Sequence, residues 1–190
     1  MHLIIVRHGE AKHNLGSGNK QLFAGSKLDS GLTKEGIKTA QELGKRLKMM
    51  GCVGLVITSP LKRARQTAEI ISNILGDVKI IEIEELKEVD VGSFAGLNKK
   101  QVEKKYPEQA KNFYIGDIEK WCFPDGESFD SVNKRVKKLF EKINNLQANN
   151  IVICGHGMIN RVILRNLFPK DQELWRKTKY FHNRIMKVEI

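Results

Sequence analysis

The chain has 190 residues, the length of one ordinary domain, and its 41% hydrophobic and 29% charged residues exclude an intrinsically disordered or low-complexity protein. The 33 Lys and Arg exceed the 22 Asp and Glu by 11, and this positive net charge favours anionic partners. Because the Lys-rich runs lack interleaved aromatic residues, we expect no nucleic-acid partner. No apolar run approaches the ~18 residues that a membrane helix needs, so we expect no membrane partner. We further expect a cytoplasmic protein that is a monomer or a homodimer.

Short apolar runs alternate with segments of helical period along the chain. The runs that predict strands are 3–6, 53–57, 79–83 and 151–154, with a possible edge strand at 185–190. The apolar stripes that predict helices lie within 37–50, 61–75 and 129–146. The first and fourth strands lack alternation, which is typical of strands buried on both faces. This order predicts a single α/β domain built on a mostly parallel sheet.

Two stretches, 10–31 and 84–127, show no regular period and are predicted to be long functional loops. The aromatic residues of 106–123 are expected to belong to the core, with a wall beside a leaving group as the alternative. The three cysteines, Cys52, Cys122 and Cys154, are far apart and are predicted to be reduced thiols, which fits a cytosolic protein.

Histidines and arginines follow three of the predicted strands. Arg-His-Gly-Glu stands at 7–10, Arg63 and Arg65 lie in the helix after the second strand, and Gly-His-Gly stands at 155–157. Ligands of parallel sheets bind beyond the carboxyl ends of the strands, so these groups are expected to converge. Guanidinium groups and backbone N–H groups beside glycine bind phosphate well, and the pattern therefore predicts a phosphate pocket.

A zinc site is the other interpretation of two histidines at strand ends. Arg7 and Arg63 would repel a cation, however, and no third ligand has suitable spacing. We therefore expect neither a metal ligand set nor another cofactor.

Five segments together resemble the histidine phosphatase superfamily, which contains the cofactor-dependent phosphoglycerate mutases and their phosphatase relatives. They are LIIVRHGEAKHN, TSPLKRARQTAEI, LKEVDVGSFAGL, FPDGES and ICGHGMINR, in this order. The resemblance runs from residue 3 to about residue 165. It implies a three-layer α/β/α sandwich of the phosphoglycerate mutase type.

The resemblance also implies roles for individual residues. His8 would be the nucleophile that forms a phosphohistidine, and Arg7, Arg63 and His156 would bind and stabilise the phosphoryl oxygens. Further substrate-binding groups would be Asn14 and Gly157.

Glu88 matches the acidic residue of the family motif and would donate a proton to the leaving oxygen. Four other acids lie near it in the sequence, and only the match to the motif favours Glu88 over them: Glu82, Glu84, Glu85 and Asp90. For Glu127 and Ser128 we favour capping of the next helix over chemistry. Arg65 is expected to face solvent or pair with a carboxylate.

The sequence departs from the mutase pattern at Ala95 and at 24–25, and Gly155 stands where Ser or Thr is frequent. Fewer than 30 residues separate Gly96 from Pro124, where mutases carry a longer insertion, so water should reach a phosphohistidine. We therefore expect a phosphomonoesterase that acts on a small phosphorylated metabolite. Mutase-type phosphoryl transfer and a non-catalytic phospholigand- or nucleic-acid-binding module are the alternatives.

Overall fold

The computed structural model describes residues 1–15, 21–51, 53–114, 117–177 and 182–189, so the predictions for Cys52 and Ile190 lie outside the described residues. The strands are β1 (His2–Arg7), β2 (Leu55–Thr58), β3 (Ile80–Glu82), β4 (Asn150–Gly155) and β5 (Ile185–Glu189). The helices are α1 (Lys34–Met50), α2 (Lys62–Leu75), α3 (Lys99–Lys105), α4 (Pro107–Tyr114), α5 (Phe129–Asn144), α6 (Gly157–Leu167) and α7 (Gln172–Lys177). Across these ranges, no helix combines the length and apolarity that a membrane crossing requires.

The strands form one five-stranded sheet in the order β3-β2-β4-β1-β5. β1, β2, β3 and β4 pair in parallel, and β5 joins the edge beside β1 in the antiparallel sense. The mostly parallel sheet and its added edge strand are therefore confirmed. Because β1 and β4 are central neighbours, their carboxyl ends lie side by side.

Both faces of the sheet are covered. Leu3 and Ile5 of β1 belong to a core that includes residues of α5 and α6, whereas Ile4 and Val6 pack with residues of α1 and α2 on the opposite face. A strand buried on both faces needs apolar side chains at every position, which explains the unalternating run. The three-layer α/β/α sandwich is confirmed.

Helix capping follows local sequence signals. The side chain of Thr33 accepts a hydrogen bond from the backbone N–H of Gly36 at the start of α1, at 2.9 Å. Ser128 caps α5 in the same way by accepting from Ser131, which agrees with the predicted role. α1 is followed by Gly51 at φ 82°, a conformation that glycine adopts without a steric penalty.

The stretch 84–127 is not an irregular loop, and that prediction was wrong. It contains α3 and α4, each of which buries one residue of its own, Val102 and Ala110 respectively. Helices this short show too little apolar stripe for periodicity to reveal them. Trp121 and Phe123 of the same stretch are buried in the core, as expected of its aromatic residues.

Candidate active site

The carboxyl ends of β1 and β4 bring the two predicted histidines together. Arg7 stands opposite Gly155 in the strand register, and the backbone N–H of His8 donates to the Gly155 carbonyl at 3.0 Å. The rings of His8 and His156 lie 5.0 Å apart between centroids, and both side chains are buried. The topology thus places two imidazoles at one edge of the sheet.

The surroundings of His8 fix its ring and its tautomer. Its Nδ1 lies 2.7 Å from the Gly9 carbonyl oxygen, which can only accept, so Nδ1 carries the hydrogen and Nε2 keeps a lone pair. Gly9 in turn donates its N–H to the Thr67 hydroxyl at 3.0 Å. A Cβ on Gly9 would lie 2.3 Å from the Gly36 carbonyl oxygen, so this close approach requires glycine.

Arg63 lies between the two histidines. Its Nε is 3.3 Å from His8 Nε2 and 3.2 Å from His156 Nδ1, and the side chain is only 1% exposed. The terminal nitrogens donate to acceptors of one loop, the Gly25 carbonyl, the Leu28 carbonyl and the Asp29 carboxylate. Helix α2 therefore carries a guanidinium group that is held on one side by this loop and contacts both imidazoles on the other.

The second histidine has a buried hydrogen-bond donor without a partner among the described residues. Because His156 Nδ1 accepts from Arg63, the hydrogen of the neutral ring is on Nε2. This Nε2 is buried and has no hydrogen-bond partner among the described residues. A buried donor without a partner is costly, so an acceptor on a bound ligand would relieve it.

Both central histidines are neutral. Burial is the main cause that lowers the pKa of His8 well below its usual value, and the neighbouring His156, Arg7 and Arg63 add to it. Burial also lowers the pKa of His156, with Arg63 and Arg7 as the next causes. A neutral imidazole at His8 has the lone pair that nucleophilic attack requires.

Glu88 lies beside this group and contacts the first turn of α6. Its Oε1 accepts from the backbone N–H groups of Val89 and Ile159, both at 3.0 Å, and its Oε2 accepts from Met158 at 3.1 Å. The side chain is 7% exposed. The carboxyl group thus anchors the helix that follows His156, a contact that no sequence pattern indicated.

The other candidate acids are paired elsewhere. Glu82 lies 3.9 Å from Arg65, Glu84 2.6 Å from Lys87, Glu85 2.7 Å from Lys142 and Asp90 3.6 Å from Lys27. Of these five acids in the part of the chain described, only Glu88 lines the cavity that contains His8. Geometry therefore agrees with the motif in selecting it.

A cavity of about 400 Å³ opens at this edge of the sheet. Its lining residues include the polar or charged side chains of Arg7, His8, His13, Asn14, Arg63, Glu88 and Arg161, together with Gly157, Met158, Phe113 and the segment 21–25. All seven predicted site residues except His156 line this cavity, and the His156 ring contacts Arg63 and lies 5.0 Å from the His8 ring between centroids. A cavity of about 520 Å³ on the far side of Glu88 contains neither histidine.

Asn14 lines the cavity, and one end of its side-chain amide is already engaged. Its Oδ1 accepts the backbone N–H of Ala11 at 3.0 Å. The amide nitrogen is therefore the group that remains to donate to a ligand.

Two further histidines belong to the site, and sequence reasoning missed them. His13 lines the cavity with its Nδ1 2.7 Å from the Ser30 hydroxyl, and His182 directs Nδ1 to the His8 carbonyl oxygen. Burial is the main cause that lowers the pKa of each to about 4, with nearby arginines as further causes. The position of His13 directly before Asn14 was a usable signal, whereas nothing in the sequence links His182 to His8.

Residues considered for minor roles lie outside the cavity. Arg65 is 46% exposed, within 4.0 Å of Glu69 and 3.9 Å of Glu82, as expected of a solvent-facing residue. Glu127 does not cap α5: it binds the Arg135 guanidinium through both oxygens and accepts the N–H of Asp90. This contact holds the segment that carries Glu88 against α5.

These groups define a class of site. Guanidinium groups, an imidazole N–H without a partner among the described residues and a second imidazole that keeps a lone pair together suit a tetrahedral oxyanion such as a phosphoryl group. The chain belongs to the histidine phosphatase superfamily (branch 1), whose family model matches residues 3–190.

Individual relatives carry both mutase and phosphatase names. A 2,3-bisphosphoglycerate-dependent phosphoglycerate mutase of Parvibaculum lavamentivorans is 36% identical, with 90% of this chain and 81% of the relative covered. An uncharacterized phosphatase, PhoE, of Bacillus subtilis is 32% identical over 90% of this chain and 79% of its own. The solved structure of Bacillus stearothermophilus YhfR superimposes with a TM-score of 0.85 at 24% identity, covering 100% of this chain and 91% of that one.

The mutase-named relative weakens the expectation that chain length distinguishes a phosphatase from a mutase. This chain spans 81% of the relative named as a mutase, so the difference in length is smaller than we expected. Length alone therefore does not separate hydrolysis from mutase-type transfer, and the walls of the cavity become the more useful evidence.

Proposed function

We propose that this protein is a phosphomonoesterase that hydrolyses small anionic phosphate esters through a phosphohistidine on His8. The observation that carries the proposal is the contact of His8 Nδ1 with the Gly9 carbonyl oxygen, which assigns the hydrogen to Nδ1 and leaves the Nε2 lone pair beside Arg63. Its proposed partner is a phosphorylated metabolite small enough for a cavity of about 400 Å³.

The first step transfers the phosphoryl group to the protein. His8 Nε2 attacks phosphorus, an N–P bond forms and the ester P–O bond breaks. Arg63 exchanges its contact with the imidazoles for the phosphoryl oxygens, and Arg7, the Asn14 amide and His156 Nε2 donate to the same oxygens. Glu88 gives its proton to the departing alkoxide from Oε2, the oxygen that accepts one backbone hydrogen bond rather than two.

The second step releases phosphate. Glu88, now a carboxylate, takes a proton from water, the resulting oxygen nucleophile bonds to phosphorus, and the N–P bond breaks to regenerate neutral His8. Positive charge for both steps comes from Arg7 and Arg63, so we expect no requirement for a divalent metal ion.

Mutase-type transfer is the second candidate, and the mutase-named relative favours it. It requires a small polyanionic product to be held and rephosphorylated. Besides the proposed phosphoryl-binding groups, the wall of the cavity includes the apolar side chains of Leu22, Phe23 and Phe113. Such a wall offers little to hold a second anionic group, which supports hydrolysis over mutase transfer.

Acid–base trapping of the intermediate tests the proposal. The protein is mixed with ³²P-labelled phenyl phosphate, quenched in alkali, and assayed for label that is stable in base and lost in acid, as a phosphohistidine is. Wild type should carry the label and release phosphate equally with and without EDTA, and His8→Ala should do neither. Full turnover in His8→Ala, or loss of activity on chelation, would overturn the proposal. Transfer of the label to 3-phosphoglycerate in preference to water would favour the mutase.

A further inference from the structure

The active-site cavity does not end at the phosphoryl site. It adjoins a second cavity of about 300 Å³, and the two share Gln21, Leu22, Phe23 and Phe113. The second cavity is completed by Lys99 and Tyr114. We call it the outer compartment. Because the two cavities share these four residues, the rest of an ester whose phosphoryl group lies at His8 can extend into this compartment.

The wall of the outer compartment is aromatic and firmly packed. Phe113 lies 5.3 Å from Phe23 and 5.3 Å from Tyr114 between ring centroids, with interplanar angles of 70° and 78°. Its other neighbours are Trp121 and Phe123, both buried in the core. Edge-to-face packing of this kind fixes ring orientation, so Phe113 is a preformed surface rather than a mobile side chain.

Exposed apolar side chains gather at the same place. Six large hydrophobic side chains are exposed in the described part of the chain, and two of them, Leu22 (38%) and Tyr114 (37%), line the outer compartment. A third, Leu15, directly follows Asn14 of the phosphoryl site and is 57% exposed. Clusters of exposed apolar side chains beside a cavity are typical of ligand-binding surfaces.

The cations near this compartment already have partners. Lys99 Nζ lies 4.7 Å from the centre of the Tyr114 ring and 3.7 Å from the Glu103 carboxylate. Arg161, which lines the active-site cavity, donates to the Trp175 carbonyl and stacks 5.3 Å from the Trp121 ring. A leaving group that carries a second negative charge would therefore meet guanidinium and ammonium groups already engaged, beside an apolar wall.

We propose that the outer compartment binds an aromatic ring of the leaving group, so that the preferred substrates are monoesters of alcohols that carry an aryl group. The inference rests on the proposed phosphomonoesterase function and specifies its substrate class. Phe23, Phe113 and Tyr114 contact the ring, and the catalytic groups act on the phosphoryl end without change.

The turnover test compares esters with equally basic leaving groups. 3-Phenylpropyl phosphate, n-propyl phosphate and 3-phosphoglycerate all release a primary alkoxide, so differences in kcat/KM report binding beyond the phosphoryl group. Burial of an aromatic ring corresponds to roughly 10- to 100-fold, and we expect that advantage for the phenylpropyl ester over both others. Equal values for the phenylpropyl and propyl esters, or a preference for 3-phosphoglycerate, would overturn the inference.

Substitutions then locate the effect. Phe113→Leu and Tyr114→Ser should each reduce the ratio of kcat/KM for phenylpropyl over propyl phosphate, by about tenfold for Phe113→Leu. Phe140→Leu removes a half-buried ring of α5 outside both cavities and should leave the ratio unchanged. Tyr114 is already partly exposed, so its variant should fold even if Phe113→Leu does not. A ratio unaffected by Tyr114→Ser and by folded Phe113→Leu would contradict the assignment.

A binding experiment tests the aromatic site independently of the proposed phosphomonoesterase activity. Phenylpropylphosphonate and propylphosphonate cannot be hydrolysed, and calorimetry measures their Kd values without turnover. At least tenfold tighter binding of the aryl compound supports the outer compartment even if none of the esters is hydrolysed. Hydrolysis of the esters with equal phosphonate affinities would leave the phosphomonoesterase proposal standing and refute the aromatic site.

Discussion

At the scale of single residues, Arg63 contacts both imidazoles and determines which nitrogen of His156 carries the hydrogen. One N–H of this side chain contacts the Nε2 lone pair of His8 and the Nδ1 lone pair of His156, and so fixes the free hydrogen of His156 on Nε2. The same guanidinium group is nearly inaccessible to solvent and is held by loop carbonyls. A positioned cation of this kind stabilises the charge that develops on phosphoryl oxygens.

The loss of Arg63 should therefore be severe. Arg63→Ala is expected to reduce kcat/KM for p-nitrophenyl phosphate by roughly 10²- to 10³-fold. Arg63→Lys should restore only part of this, because an ammonium group keeps the charge but lacks the Nε–H that contacts both imidazoles. Steady-state kinetics well below the Tm of each variant measures the effect separately from stability.

Arg65→Ala is the matched control, since this residue lies two positions away on α2 and pairs with surface carboxylates. It should change kcat/KM less than twofold. A greater loss in Arg65→Ala than in Arg63→Ala would mean that the assigned orientation of α2 toward the site is wrong.

At the scale of elements, the site depends on how α6 is anchored. Glu88 reaches from the segment before α3 to the first turn of α6, where it accepts the N–H groups of Met158 and Ile159. A carboxylate at a helix N-terminus satisfies orphan donors and interacts favourably with the helix dipole. The proposed proton donor is thus also the contact that fixes the helix after His156, and the two roles must be separated by experiment.

Glu88→Gln separates them through the leaving group. The amide oxygen can still accept at α6, so the helix loses about one hydrogen bond, but the side chain has no carboxyl proton to give. Phosphoryl transfer from an alkyl ester, which leaves as a basic alkoxide, should slow far more than transfer from p-nitrophenyl phosphate. Stopped-flow single turnovers should retain a burst with the aryl ester and lose it with the alkyl ester.

Glu84→Gln supplies the control for this experiment, because Glu84 is a surface residue paired with Lys87. Its variant should show wild-type bursts with both esters. Equal slowing of both esters in Glu88→Gln would indicate that Glu88 only anchors α6.

The same elements show what the sequence could and could not predict. β1 and β4 are continuous apolar runs followed by His and Gly, so burial on both faces and a site at their ends follow from local pattern. α3 and α4 each bury one residue of their own, too few to produce a visible stripe. His182 contacts the backbone of His8 from 174 residues away, and a contact of that separation is determined by tertiary packing rather than by spacing.

At the scale of the whole molecule, folding lowers the pKa of several histidines of the site, so the free energy of unfolding depends on pH. Four histidines, His8, His13, His156 and His182, lie together near Arg7 and Arg63, and burial is the main cause that lowers the pKa of each. In the unfolded chain these rings return to a pKa of about 6.5. Between that value and about pH 4 the unfolded state binds more protons than the folded state, so the free energy of unfolding must fall as the pH falls.

The fall in the free energy of unfolding with falling pH can be measured by denaturation at several pH values. Urea unfolding in phosphate-free buffer with 0.2 M NaCl, from pH 7 to pH 5, should show stability that decreases progressively below about pH 6.5. Near pH 5 unfolding should take up about one proton for each of the four site histidines. In the double variant His13→Gln/His182→Gln, the proton uptake derived from the slope should be smaller by about two, because both rings have a pKa of about 4 in the folded protein. The comparison of slopes is independent of any uniform loss of stability that the substitutions cause. Equal slopes for wild type and the double variant would show that these two rings titrate normally and lie outside the cationic site.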